Sequence, residues 1–141
     1  MDAQLKILVA DEELDSIGFV TAALDGGGHT LVSVRSHPAA LAALARERFD
    51  LVMFDIWAEQ LPGLRLFEKA RELHEYIEGV VITGAVSIYS VLDCYRAGII
   101  DYLTKPLQNP DAVRRAIARA VEKRRHWVEI LKSLEYERIG S

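Results

Sequence analysis

LKILVADEE, residues 5–13, is a mostly aliphatic run, Leu5 to Ala10, that stops abruptly at Asp11, Glu12 and Glu13. A short, nearly continuous apolar run of this kind is the pattern of a parallel strand buried on both faces, and the acids mark where the chain leaves the sheet. The same form returns at Asp50 to Ile56 (DLVMFDI) and at Gly79 to Thr83 (GVVIT). Helical spacing fills the intervals. From Asp15, a capping-type residue, Ile17, Val20 and Leu24 recur until Gly26, Gly27 and Gly28 end the pattern. Thr30 to Val34 alternates and is β-branched, and Pro38 then opens a stretch in which Leu41, Leu44 and Ala45 share a face. Leu64 to Leu73 reads as a helix. Ser87 caps another, with Ile88, Val91, Leu92 and Tyr95 on one stripe and Gly98 closing it. Ile99 to Leu103 is a fifth strand, and Asn109, Pro110 and Asp111 start a last helix. Five strands alternating with five helices predict a doubly wound α/β fold, a parallel sheet covered on both faces with right-handed crossovers.

The composition agrees with one soluble globular domain. The chain has 141 residues, half of them hydrophobic and 27% charged, enough apolar material for a sizeable core. No apolar run approaches the roughly 18 residues of a membrane span. The amino terminus lacks a basic region followed by an apolar stretch, so the cytoplasm is the expected compartment. The single cysteine, Cys94, excludes an internal disulfide and reads as a small core residue. Residues 111–141 hold eight basic and five acidic side chains, whereas the rest holds nine and sixteen. Such an acidic body disfavours a nucleic-acid surface and favours cations or proteins as partners.

In doubly wound folds the ligand site lies beyond the carboxyl ends of the strands. Asp11, Glu12 and Glu13 follow strand one, Asp55 ends strand three, Thr83 ends strand four and Lys105 follows strand five. Carboxylates gathered at one edge repel one another unless a cation compensates, and a hard divalent ion such as magnesium suits them. An Asp beside such an ion can act as a nucleophile toward a phosphoryl group. His29, His37, His74 and His126 are scattered and suggest no ligand set.

From about Lys6 to Val121 the chain resembles the receiver domain of two-component response regulators, on four motifs in order: ILVADEE, LVMFDI, VVITGA and DYLTKPL. The resemblance implies a five-stranded flavodoxin-like sheet in the order 2-1-3-4-5. It makes Asp55 the phosphoacceptor and Asp11 and Glu12 the acidic pair that binds Mg2+, or Mn2+ in its place. Thr83 and Lys105 contact the phosphoryl group, Tyr102 is the aromatic switch, and Lys105-Pro106 is a cis peptide. Trp57, two positions after Asp55, lends a backbone carbonyl to the metal. The implied partners are a sensor histidine kinase or phosphotransfer protein and a fused or separate effector domain; the implied role is a signalling switch rather than a conventional enzyme.

The chain departs from the family in three places. Ala58 and Glu59 stand where Met-Pro is usual, Glu12 stands where Asp is commoner, and Trp57 is unusually large. Other readings share the fold. A flavodoxin-like cofactor carrier needs a hydroxyl- and glycine-rich loop where this chain has DEE, and an aspartyl-phosphate phosphatase usually has an acid where this chain has Trp57. A degenerate receiver serving only as a protein-interaction or dimerisation module is the alternative, against which the intact acids, Thr83 and Lys105 speak.

The expected organisation is a receiver over residues 1–122 and a helical extension, a signalling helix or linker, over 123–141. From Pro110 to Arg138 the last helix meets no further Gly or Pro and would span roughly 43 Å. Val113, Ile117, Ala120, Trp127, Leu131 and Leu134 follow spacings of four and three, interrupted by Arg124, which predicts a two-stranded coiled coil with one polar layer. The tract Lys123 to His126 reads as a charged helix face.

Overall fold

The computed structural model describes residues 4–56, 64–84 and 86–140, with the backbone alone for 136–140. The elements run β1 (Lys6–Ala10), α1 (Leu14–Leu24), β2 (Thr30–Val34), α2 (His37–Arg46), β3 (Leu51–Phe54), α3 (Arg65–Leu73), β4 (Glu78–Thr83), α4 (Ile88–Ala97), β5 (Asp101–Thr104) and α5 (Pro110–Gly140). All strand pairs are parallel, in the order β2-β1-β3-β4-β5.

Strand alternation divides the core in two. Ile7, Val9, Leu51, Met53, Val80 and Ile82 face α1 and α5, whereas Leu8, Val52, Phe54 and Val81 face the layer of α2, α3 and α4. The central strand β3 is buried throughout, and the edge strand β2 is only partly covered. That contrast explains why β3 is a continuous apolar run and β2 alternates.

Several boundaries differ from the sequence pattern for local reasons. Glu13, not Asp15, stands at the N-cap of α1, without a side-chain cap bond, and Asp15 lies in the first turn, where a carboxylate suits the helix dipole. Ser36 caps α2 by accepting the Ala39 N–H at 3.1 Å, which places His37 first in the helix and Pro38 behind it. β5 starts at Asp101 rather than Ile99. Gly98 takes the left-handed conformation, φ 81°, and the Ile99 N–H is turned back to the Cys94 carbonyl at 3.0 Å.

Two helical stripes are placed differently from the amphipathic reading. On α4, Ile88 and Tyr95 are 70% and 82% exposed and Val91 and Leu92 are also exposed, while Cys94 is the buried residue. Periodicity identified an apolar face, but that face looks outward. On α5 the six-position seam splits. Val113, Ile117 and Ala120 are buried within the chain, on the sheet face that α1 shares, and Trp127, Leu131 and Leu134 are exposed. The apolar stripe is therefore core in the first half of the helix and exposed in the second.

Arg124 is not a polar layer in a seam: its guanidinium pairs with Asp50 at 3.0 Å. Together with Lys123 on Glu78 at 2.9 Å and Arg119 on Asp101, it ties α5 to the residues that open β3, β4 and β5.

Candidate functional site

Register brings the acids together. Ala10 pairs with Phe54, so Asp11 and Asp55 leave adjacent strands side by side. From the other flank Thr83 pairs with Thr104, and the Lys105 N–H donates to the Thr83 carbonyl at 2.9 Å. Thr83 is fully buried at the end of β4, and the Lys105-Pro106 peptide is cis.

The Lys105 ammonium lies 3.0 Å from Asp11 Oδ1, 3.0 Å from Asp55 Oδ2 and 3.1 Å from Glu13 Oε1. Burial alone would lower the Lys105 pKa, but the hydrogen bonds from Asp11 and Asp55 outweigh it and hold the ammonium above its ordinary value. One positive charge against three carboxylates leaves the site negative. Asp11 Oδ1 also accepts the Glu13 N–H at 2.9 Å. Asp11 Oδ2 is buried with no hydrogen-bond partner, although it too lies 3.0 Å from the ammonium.

That unsatisfied oxygen in an all-oxygen, negatively charged set is what a hard divalent ion would complete. Among the described residues no three His, Cys, Asp or Glu side chains are drawn together as metal ligands; the ammonium stands between the acids instead. A cavity of about 130 Å³ opens beside it, walled by Asp11, Glu12, Asp55, Arg35 and His37 among others. Glu12 is exposed at this wall, and its carbonyl accepts from the Arg35 guanidinium at 2.9 Å. Trp57 lies outside the described residues, as do Ala58 and Glu59.

Of the residues expected at the site, Asp11, Asp55 and Lys105 meet directly, Glu12 lines the cavity, and Thr83 is joined to Lys105 through the backbone. Tyr102 is half-buried on β5, and its hydroxyl is 3.0 Å from Ser90 Oγ in the first turn of α4. Ser90 belongs to a capping box with Ser87, so the aromatic is hooked to the start of that helix.

Two contacts lie outside the residues that the family resemblance selects. Glu13, set outside the acidic pair, reaches the same ammonium, and a consecutive DEE run was the signal that either glutamate could do so. His37, one of four histidines scattered along the chain, donates Nε2–H to the Asp55 carbonyl at 2.8 Å. No spacing rule links those two residues.

A family model described as the response regulator receiver domain matches residues 7–118. The chain is 30% identical, over 96% of its length, to the alginate biosynthesis transcriptional regulatory protein AlgB of Pseudomonas aeruginosa, of which it covers 30%. It is 32% identical, over 91% of its length, to the nitrogen assimilation regulatory protein NtrX of Azorhizobium caulinodans, of which it covers 29%. The chain thus spans less than a third of these relatives. Among solved structures, NtrX from Brucella abortus superposes with a TM-score of 0.80 at 29% identity, covering 90% of this chain and 29% of that one. A CheY-like response regulator receiver domain protein from Methanospirillum hungatei gives 0.77 at 25% identity, covering 86% of this chain and 96% of that one.

Proposed function

Because this chain belongs to the response regulator receiver family of two-component signalling, we propose that Asp55 is its phosphoacceptor, supplied by a sensor histidine kinase or a phosphotransfer protein. The observation that carries this reading is the Lys105 ammonium set 3.0 Å from both Asp11 and Asp55. An Asp55 carboxylate oxygen forms the new O–P bond while the N–P bond of a phosphohistidine breaks, and the released imidazole keeps the electron pair and takes a proton from solvent. Lys105 then turns its charge from the carboxylates to the phosphoryl oxygens, and the Thr83 hydroxyl donates to one of them. Asp11, Glu12 and Asp55 are the residues that would hold Mg2+, or Mn2+, with Trp57 contributing its carbonyl. When bound, that ion neutralises charge that would otherwise repel the incoming phosphate.

The phosphorylated state draws Thr83 inward and releases Tyr102 from Ser90, altering the surface of α4, β5 and α5. The chain catalyses its own phosphorylation and dephosphorylation in this reading, but its role is that of a switch in the cytoplasm. A fused or separate effector domain receives the change through the extension, residues 123–141 beyond a receiver of residues 1–122. A homodimer is held by Trp127, Leu131 and Leu134 of two such helices. Among the described residues no helix is long and apolar enough to cross a membrane.

The test is intact-mass measurement after incubation with a small phosphodonor, with and without Mg2+. One phosphoryl group on the native protein, dependent on the metal and absent from Asp55→Asn, is the expected result; equal labelling of the Asn variant would overturn the assignment.

A further inference from the structure

The turn Ser36-His37-Pro38 fixes an imidazole beneath the phosphoacceptor. Ser36 caps α2, and the ring of Pro38 limits the backbone just after His37. His37, at the first helical position, is 2% exposed. A carbonyl oxygen can only accept, so His37 Nε2 carries the proton in its 2.8 Å bond to the Asp55 carbonyl. The ring also meets Phe54, the residue before Asp55, edge-on at 6.2 Å between centroids and 71° between planes.

β3 ends at Phe54, so Asp55 stands just past the strand's last residue, where the imidazole supplies its carbonyl with a hydrogen bond. From the opposite side Lys105 holds the carboxylate. Asp55 is thus gripped at its backbone by one residue and at its side chain by another. His37 also forms part of the wall of the acidic cavity.

We infer that His37 is a positioning residue for phosphoryl transfer: its Nε2–H fixes the Asp55 peptide plane, and with it the direction from which the carboxylate meets phosphorus. The inference rests on the reading of Asp55 as the phosphoacceptor. Phosphoryl transfer depends chiefly on positioning and charge, so a small rotation of that peptide is felt in the rate of the step more than in donor binding.

The test compares the full-length native protein with His37→Leu, which fills the space without a donor, and His37→Gln, which offers an amide N–H to the same carbonyl. Each is labelled with acetyl phosphate and Mg2+ across a range of donor concentrations, and the rate is read by intact mass. His37→Leu should lose roughly tenfold in maximal rate with an unchanged half-saturating donor concentration, and His37→Gln should recover to within about threefold of native. The carbonyl 13C resonance of Asp55 should move in the Leu variant and stay near its native position in the Gln variant. Should His37→Leu fail to fold, His37→Asn, whose shorter amide falls short of the carbonyl, takes its place in the comparison. A folded Leu or Asn variant with the native maximal rate, or equal losses in the Gln variant and its partner, would overturn the positioning role alone. Failure of the native protein to accept phosphate would overturn the phosphoacceptor reading and this inference with it.

Discussion

Lys105 links three carboxylates through one ammonium, and its removal should be felt twice. Lys105→Met leaves the buried Asp11 charge unmatched and should cost about 3 kcal/mol in metal-free buffer, as breaking a buried pair does. Added Mg2+ should recover part of that loss, because the cation compensates the same oxygens; melting curves showing an identical loss with and without Mg2+ would separate the ammonium from the metal site. A second titrating group lies at the opposite edge. His29 Nδ1 accepts the Leu5 N–H at 3.0 Å, and burial holds the imidazole below its ordinary pKa of 6.5. A proton on Nδ1 would break that bond. The stability it contributes is therefore complete above pH 6.5 and lost as pH falls through the lower folded value. Denaturant midpoints should fall as the pH drops below 6.5, and His29→Gln, an acceptor that does not titrate, should flatten that part of the curve. Asp11, Asp55, Thr83 and Lys105 were legible in the sequence because each ends or directly follows a strand of a doubly wound fold. His37 and Ser90 were not, since their partners stand on other elements and nothing in the local pattern selects the pairing.

At the scale of elements, period reveals that a helix has an apolar face but not which way the face turns. The stripe of α4 misled for that reason, and α5 did so because one unbroken period covers two environments. The change of environment falls at Arg124, where Val113, Ile117 and Ala120 have given way to exposed Trp127, Leu131 and Leu134. Amide exchange should accordingly be slow through Ala120 and several orders of magnitude faster beyond Trp127 in the monomer, and it should slow again where two extensions pair. Truncation after Lys123 should yield a monomer that still labels at Asp55; sedimentation at the same mass for both lengths, in either phosphorylation state, would exclude the helix as the dimerising element. The hook between β5 and α4 allows a finer test. Tyr102→Phe removes the 3.0 Å contact and should cost about 1 kcal/mol, whereas Ser90→Ala removes it together with the capping box and should cost more, and the double variant should be little less stable than Ser90→Ala alone. Simple additivity in denaturant titrations would show that the two hydroxyls do not act on each other.

Taken as a whole, the molecule is electrically uneven, with Asp11, Glu12, Glu13 and Asp55 gathered at the carboxyl edge of the sheet and a net charge of −4. A negatively charged small donor approaches against that field. Raising salt from about 10 mM to about 150 mM at saturating Mg2+ should therefore speed labelling, as screening weakens repulsion between like charges; a rate that falls with salt would point to an attractive surface near the site. The amino edge carries the opposite kind of contact, where Arg119, Lys123 and Arg124 grip the openings of β5, β4 and β3. Those three grips act as a fulcrum. Some 24 Å of helix project beyond Arg124, at 1.5 Å per residue, so a tilt of about 5° in the rooted half carries the far tip through about 2 Å. On the proposed reading of the extension as a signalling helix, that length makes it a mechanical lever, which enlarges a small motion at the sheet into a larger one at the tip.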